Sequence, residues 1–141
     1  MRPYPISLVP FLRIAWYAWL PTYSNTFNIP ISARDDIRLT IKANSETSGV
    51  VKIENLTNGR SQQVSFDSVN TLCEASAMWV VGEWNGPVAS FGTLVFTDAT
   101  AAGATGHIYE PDPTLAFEMT QDDRDLTSTS VSGSTITIKR L

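Results

Sequence analysis

IRLTIKA, residues 37–43, is the stretch that decides the fold, because apolar and polar side chains alternate along it without a break. Successive side chains of an extended strand point to opposite faces, whereas a helix would repeat its apolar residues every three or four positions. The stretch therefore predicts a half-buried strand. We expect its four apolar side chains to face a core and its three polar side chains to face water.

The same alternation continues on both sides of a turn signal further along the chain. Val51 and Ile53 alternate with polar neighbours, and the pattern resumes at Val64 and Phe66. Between them, Asn58-Gly59 supplies residues that adopt the positive φ angles of a hairpin turn. We expect a hairpin with a longer loop at this position.

Other stretches with a period of two predict further strands, and no segment predicts a convincing helix. Residues 99–106, ATAAGATG, are small and are expected to form a flexible surface loop that does not pack a core. The further strands are predicted over 77–81, 93–97, 115–120 and 126–131, the last followed by a turn at Ser132-Gly133 and a returning strand through Ile136 and Ile138.

Length and strand content together predict an all-β protein. The chain has 141 residues, which suits one domain with a single core. Many short strands, separated by turn signals and without helical spacers, are typical of antiparallel sheets packed face to face. We predict an antiparallel β-sandwich, a jelly roll of the concanavalin or lectin type.

The charge balance argues against two classes of partner. Ten Lys and Arg against fourteen Asp and Glu give a formal net charge of -4, which disfavours binding to nucleic acid or to an acidic membrane surface. The apolar opening stretch is interrupted by prolines and by Arg13, so we expect no membrane-spanning helix. The same interruptions make this stretch a poor match to a signal peptide.

Residue types that bind metals or act as nucleophiles are scarce. The single cysteine, Cys73, cannot form an intrachain disulfide or a zinc site of several thiolates. The single histidine, His107, lies beside a glycine and is expected to be a solvated loop residue. Three aspartates around Arg124 lack the glycine and terminal glutamate of a calcium loop, so they predict a solvated turn. We expect neither a metal nor another cofactor.

The run Trp16-Tyr17-Ala18-Trp19 is the densest aromatic feature. On a strand, Trp16 and Ala18 face one way while Tyr17 and Trp19 face the other. Core packing explains one of these faces, and a ligand groove could occupy the other.

Two other features attract a functional interpretation. Asn55-Leu56-Thr57 is an N-glycosylation sequon beside the predicted turn, which makes Asn55 a candidate glycan acceptor. The apolar segment 73–84, CEASAMWVVGEW, ends in a carboxylate, Glu83, between a glycine and a tryptophan. A structural edge strand is the simpler interpretation of this segment.

At these residues the chain resembles the eqolisins, a family of secreted glutamic peptidases that act at acidic pH. The resemblance runs in order over residues 14–141, and the thirteen residues before it form an extension, 1–13, unlike the family. The aromatic run followed by the Cys-x-x-x-Ala-x-Trp segment is its most specific part. The stretches that carry it are AWYAWLP, FNIPISARDDIRLTIKANSETSGVVKIENLTNG, CEASAMWVVGEW, ASFGTLVFTDA and SVSGSTITIKRL.

The resemblance implies hydrolysis of peptide bonds by a glutamate and a glutamine, without a metal. The glutamate would activate water as a general base and later act as an acid, while the glutamine amide would donate to the oxyanion. In the family the glutamine precedes the aromatic run, where this chain has the unlike residues 1–13. The family segment Ala-Glu-Trp-Ile-Val-Glu aligns its first glutamate with Met78 and its catalytic glutamate with Gly82. Glu83 is one residue further on, so it would serve only if a bulge turned it to the other face.

Other family positions are kept only in part. The resemblance assigns substrate binding to Trp16, Tyr17 and Trp19, but it places Ala18 where the family has a substrate-binding glutamate. It also implies that Cys73 is a thiol whose partner lay in the upstream segment. An inert, buried small side chain is the alternative for Cys73.

Three interpretations of function follow. The first is a homologue of the glutamic acid endopeptidases that acts on peptides or unfolded proteins in its family, is extracellular by kinship, and is inactive in this chain. The second is a non-catalytic β-sandwich module that holds a peptide or a glycan on its aromatic residues. The third is a fragmentary product, an incomplete sandwich whose exposed sheet edges would lead to self-association.

Overall fold

The structure is a computed structural model in which the chain divides into two compact units, Met1–Ala75 and Ser76–Leu141. Residues 1–13, the predicted extension, lie outside the described residues, and the organisation of 14–141 as a single domain stays a prediction. No helix in the described part of the chain has the length and apolarity needed to span a bilayer. The described residues are 14–20, 23–68, 70–82 and 90–141.

The first unit contains a two-stranded hairpin and a three-stranded sheet, and all their strand pairs are antiparallel. The order of the larger sheet is β3-β4-β5, so strands that follow one another in the chain are neighbours in the sheet. The prediction of a strand over residues 37–43 and of the hairpin after it is therefore confirmed. The strands are β1 Trp16–Trp19, β2 Tyr23–Thr26, β3 Ile37–Ser45, β4 Ser48–Asn55 and β5 Arg60–Asp67.

The core of the first unit forms on one face of the central strand, β4. Every second residue of β4 is buried, which is the burial pattern of a strand with one face on a core. Val51 and Ile53 pack there with Phe27 and Ile29, which follow β2. Ile53 is only 1% exposed. The alternation read from the sequence therefore orients β4 correctly.

The expected burial of the apolar face of β3 is wrong at three of its four positions, because Ala43 is exposed and so are Leu39 and Ile41. Leu39 pairs with Ile53 and Ile41 pairs with Val51, so both lie on the same face as the core. They are nevertheless 66% and 82% exposed. Ile37 is the only residue of β3 that packs against this core. Strand periodicity fixes which way a side chain points, but not whether another layer covers it.

The turn between β4 and β5 depends on Asn55, which is 1% exposed. Its side-chain oxygen accepts the backbone N–H groups of Thr57 and Asn58, at 3.0 and 3.2 Å. Its amide nitrogen donates to the carbonyl oxygen of Pro30 at 3.2 Å and to a carboxylate oxygen of Asp35 at 2.6 Å. Every donor and acceptor of this buried amide is therefore used, and it ties the turn to the preceding loop.

The second unit has a three-stranded antiparallel sheet, in the order β11-β12-β6, and two short hairpins. Ile136 and Ile138 of β12 are buried together with Ala99. The predicted strands around residues 93–97 and 126–138 are confirmed, and Gly133 has the positive φ, 56°, that its turn requires. The elements are β6 Thr93–Phe96, β7 Ala101–Ala102, β8 Ile108–Tyr109, a 3₁₀ helix Pro113–Leu115, β9 Thr120–Gln121, β10 Arg124–Asp125, β11 Thr127–Ser132 and β12 Thr135–Arg140.

Three expectations for the second unit are wrong. The strand predicted over 77–81 is absent, because the described part of that segment pairs with no neighbouring strand. The strand predicted over 115–120 begins instead as the end of the 3₁₀ helix, which Asp112 caps by accepting the N–H of Thr114 at 2.8 Å. The stretch 99–106 is not simply a loop, since Ala99 is 3% exposed in the core and a short hairpin starts just after it.

The buried amide of Asn55 predicts a large loss of stability in Asn55→Ala. Removing it leaves Asp35, Pro30 and two backbone N–H groups without their buried partner, so we expect the free energy of unfolding to fall by roughly 2–4 kcal/mol. Urea titration followed by circular dichroism measures the change. Asn44→Ala is the control, because Asn44 is exposed on β3. Equal effects of the two substitutions would contradict this role.

The same burial leads us to infer that Asn55 carries no glycan in the folded chain. Attachment at the amide nitrogen would need space beside Pro30 and Asp35, where the side chain is excluded from solvent. We expect the intact mass of chain secreted from a eukaryotic host to be unchanged by peptide N-glycosidase. Glu46→Thr, which creates a sequon at the exposed Asn44, is the positive control. Release of a glycan from Asn55 of folded chain would contradict the inference.

Candidate functional site

The segment that resembles the family's catalytic strand includes residues 76–82, which pair with no strand of the described residues. Trp79 and Val81 are half-buried and pack against the core of the second unit. Met78 and Val80 are 81% and 69% exposed, and Gly82 is exposed as well. Exposure therefore alternates over residues 78–82, whereas Ala77 is exposed and departs from the alternation. Residue 82 belongs to the outward set.

Gly82 is a glycine without a local structural requirement for one. Its φ lies outside the left-handed region that favours glycine. No atom of the described residues lies within 4 Å of the point where its Cβ would stand. The described residues therefore leave room for a Cβ atom at this position. Glu83, the alternative carboxylate proposed from the sequence, lies outside the described residues.

Two rings of the aromatic run belong to the core of the first unit. Trp19 is 5% exposed, meets the ring of Phe66 edge-on at 4.8 Å, and donates its indole N–H to the carbonyl oxygen of Asn70 at 2.9 Å. Tyr17 is half-buried with its ring centroid 4.7 Å from that of Phe27. Both contacts are those of core aromatic residues.

Trp16 faces the other way, since successive residues of β1 alternate between the two faces. Its side chain is 54% exposed, and its neighbour Ala18 points to the same side. The structure therefore does not bring the three predicted substrate-binding rings to one face. Only Trp16 presents a largely exposed ring, so it remains the candidate for contact with a ligand.

The remaining predicted positions are mostly solvent-exposed. Cys73 is a free thiol and is exposed, so the alternative of a buried small side chain is wrong. His107 is exposed and meets the ring of Tyr109 edge-on at 4.5 Å. Asp122 and Asp123 form the tight turn between β9 and β10 with positive φ angles of 51° and 58°. In the described ranges, no three His, Cys, Asp or Glu side chains cluster closely enough to hold a metal ion.

Glu118 is a carboxylate that the sequence analysis missed. It accepts the hydroxyl of Thr127 at 2.8 Å and both the N–H and the hydroxyl of Thr129, at 2.6 and 3.0 Å. Burial raises the pKa of Glu118, but the hydrogen bonds from the two threonines outweigh it and hold the pKa below its usual value. The partners are nine and eleven residues away, so no local motif signals them.

A model of one protein family matches nearly the whole described chain. It is the peptidase A4 family, and the match covers residues 13–140. This chain is a member of the peptidase A4 family. The resemblance to the glutamic peptidases that the sequence suggested is therefore confirmed.

The peptidase A4 chain is similar to known proteins of Aspergillus niger. It is 37% identical to aspergillopepsin-2 of that organism over 132 residues, which is 88% of this chain and 46% of the relative. It matches the crystal structure of aspergilloglutamic peptidase from A. niger with a TM-score of 0.78 at 35% identity, covering 91% of this chain and 79% of that one. This chain spans about half the length of the curated relatives it matches.

A second solved structure was obtained with a ligand. It is scytalido-glutamic peptidase with a peptide-based transition state analog, which this chain matches with a TM-score of 0.75 at 31% identity, over 91% of this chain and 69% of that one. The antiparallel all-β fold predicted from the sequence is confirmed by these matches to eqolisin β-sandwich structures.

The lowered pKa of Glu118 predicts that its contribution to stability depends on pH. A carboxylate with a depressed pKa in the folded state stabilises the protein above its unfolded pKa, near 4.3, and this stabilisation is lost as pH falls through the folded pKa. We expect Glu118→Gln to lower the free energy of unfolding by about 1–2 kcal/mol at pH 7, and by much less at pH 3.

Urea titrations of the wild type and Glu118→Gln at a series of pH values measure this difference. Glu110→Gln is the control, because Glu110 is an exposed glutamate on the same unit, and we expect a change within about 0.5 kcal/mol. A Glu118→Gln effect that stays constant from pH 7 to 3, or grows toward acid, would contradict the hydrogen-bonded carboxylate.

Proposed function

We propose that this peptidase A4 chain binds peptide segments without hydrolysing them. The observation that carries the proposal is Gly82, the residue aligned with the family's catalytic glutamate by the sequence resemblance. It lies on the exposed face of its segment and offers no proton-transfer group. The same alignment places Met78 at the other family glutamate, also on the exposed face.

The chemistry of the family explains why this substitution should stop hydrolysis. A water molecule attacks a peptide carbonyl slowly unless a base removes its proton, and a positioned general base contributes about 10²–10⁴-fold to the rate. The same carboxyl group would then protonate the leaving amine. A glycine can do neither. Because the described residues leave the space for a Cβ atom at Gly82 open, their packing does not require a glycine there.

Peptide binding is the part of the family function that this chain's own residues still support. Scytalido-glutamic peptidase was solved with a peptide-based transition state analog, so a relative with this fold holds a peptide-like ligand. Trp16 presents a 54% exposed ring on the face of β1 opposite the core. An exposed indole offers a large contact area at low entropic cost, which favours contact with an extended peptide. The kinship also supports an extracellular location.

A glycan is the alternative ligand, because sugar rings also stack on exposed indoles. Of the three rings in the run 16–19, only that of Trp16 is largely exposed, since Tyr17 and Trp19 are packed into the core. A single exposed ring suits contact with one peptide side chain better than it suits an extended saccharide, which would need several. The peptide is therefore the proposed ligand, and the glycan is an outcome of the test.

The proposal predicts that unfolded protein is bound but not cut. We expect no fragments when reduced, carboxymethylated lysozyme is incubated with the chain at about pH 3 to 5, the range in which carboxyl groups titrate. Mass spectrometry of the digest detects cleavage. Specific cleavage that disappears in Glu83→Gln would overturn the proposal, because it would make Glu83 the base.

Binding is measured by calorimetric titration with the same unfolded protein, and with cello- and chito-oligosaccharides in parallel. We expect saturable binding of the protein, lost at least tenfold in Trp16→Ala and largely kept in Trp16→Phe, which retains a flat ring. Circular dichroism checks that both variants fold. No binding of unfolded protein would contradict the proposal, and binding of oligosaccharide alone would favour the glycan.

A further inference from the structure

Strand β3, one of the two outer strands of the first unit's three-stranded sheet, has an unpaired edge among the described residues and exposed apolar side chains. In the sheet order β3-β4-β5, one edge of β3 pairs with no other strand of the described residues. Leu39 and Ile41 are 66% and 82% exposed, although they lie on the same face as the buried Ile53 and Val51. An edge strand of this kind is a template for another strand.

We propose that β3 pairs antiparallel with β3 of a second copy of this chain, with Leu39 on the two-fold axis. This inference does not depend on peptide binding. A strand that meets itself across a two-fold axis makes an isologous contact, in which each cross-strand pair except the central one occurs twice. The pairs would be Leu39 with Leu39, Ile37 with Ile41, Arg38 with Thr40, and Asp36 with Lys42.

Charge selects this register over two of its neighbours. Directly opposed like charges destabilise an antiparallel pair, and opposite charges stabilise it. Centring the pair on Arg38 would oppose two guanidinium groups, and centring it on Thr40 would oppose Arg38 to Lys42 twice. Centring it on Leu39 opposes Asp36 to Lys42 twice, which places an acid against a base. Both of these side chains are exposed.

Apolar contact and charge together disfavour the register centred on Ile41. That register would set Asp36 against Glu46, and it would oppose Leu39 to the smaller Ala43. With Leu39 at the axis, the two copies instead bring their most exposed apolar side chains of β3 together on one face. The contact would bury the apolar side chains of β3 that the residues packed on β4 leave exposed.

The first test is the oligomeric state of the full chain. Sedimentation velocity from low micromolar concentrations to about 200 µM should show a concentration-dependent dimer. Leu39→Lys should raise the dissociation constant of the dimer more than tenfold, because it places two ammonium groups opposite each other at the axis. Leu115→Lys is the matched control, since Leu115 is also 66% exposed but lies in the second unit. A monomer throughout would overturn the proposal.

The second test reverses the charges. Lys42→Asp should weaken the dimer about tenfold by opposing acidic groups in two symmetry-related pairs. The double variant Asp36→Lys/Lys42→Asp should restore it, because acid and base again face each other. An unchanged dissociation constant in both variants would exclude this register. A double variant that is folded by circular dichroism but does not recover the dimer would also exclude it.

The third test traps the register directly in a Cys73→Ser background. Residues opposite each other in an antiparallel pair have Cα atoms about 4.5–5.5 Å apart, within the range of a disulfide. Leu39→Cys should therefore oxidise to a covalent dimer, whereas Ile41→Cys should not, because its partner would be Ile37. Rapid cross-linking of Ile41→Cys with none at Leu39→Cys would overturn the proposal.

Discussion

The packing of Trp79 and Val81 against the core of the second unit sets the direction of the side chains of residues 78–82. Because an extended chain alternates its faces, burying these two residues turns Met78, Val80 and Gly82 outward. The proposal for Gly82 depends on this alternation, because it makes residue 82 accessible from solvent. If the segment slipped by one residue, Gly82 would be buried and would have no bearing on chemistry.

The fold and the proposed position of the base depend on different residues. The antiparallel sheets of this peptidase A4 chain rest on buried side chains such as Ile53 and Ile138, and on the amide of Asn55 at a turn. None of these is the proposed position of the base. A binding surface built on Trp16 would likewise use none of these core residues, since the Trp16 ring lies on the face of β1 opposite the core.

Much of the strand architecture could be predicted because apolar and polar residues alternate along each strand in the sequence. Strands β3, β4, β11 and β12 and the turn at Gly59 follow from spacing and from the backbone preferences of glycine. The 3₁₀ helix was also signalled locally, by Asp112 followed by Pro113, but an apolar run obscured it. The sequon at Asn55 had a second interpretation, as a side chain that closes a turn.

The rest of the structure depends on partners that are distant in sequence, so no local pattern could reveal it. Whether residues 77–81 join a ladder depends on a neighbouring strand, and whether Leu39 is buried depends on what covers β3. The hydrogen bonds of Glu118 come from threonines on β11, which is nine or more residues away in the sequence. The family resemblance proposes residue 82 as the position of the base, and the exposure of Gly82 could be learned only from the structure.

The central claim, that residue 82 faces outward, is tested most directly by thiol reactivity in a Cys73→Ser background. Val80→Cys, Val81→Cys and Gly82→Cys place one thiol at each of three consecutive positions. We predict that residues 80 and 82 react with Ellman's reagent near the rate of a free thiol, and residue 81 at least tenfold more slowly, because a half-buried thiol reacts through local opening. The reverse pattern, or equal rates at all three, would contradict the account.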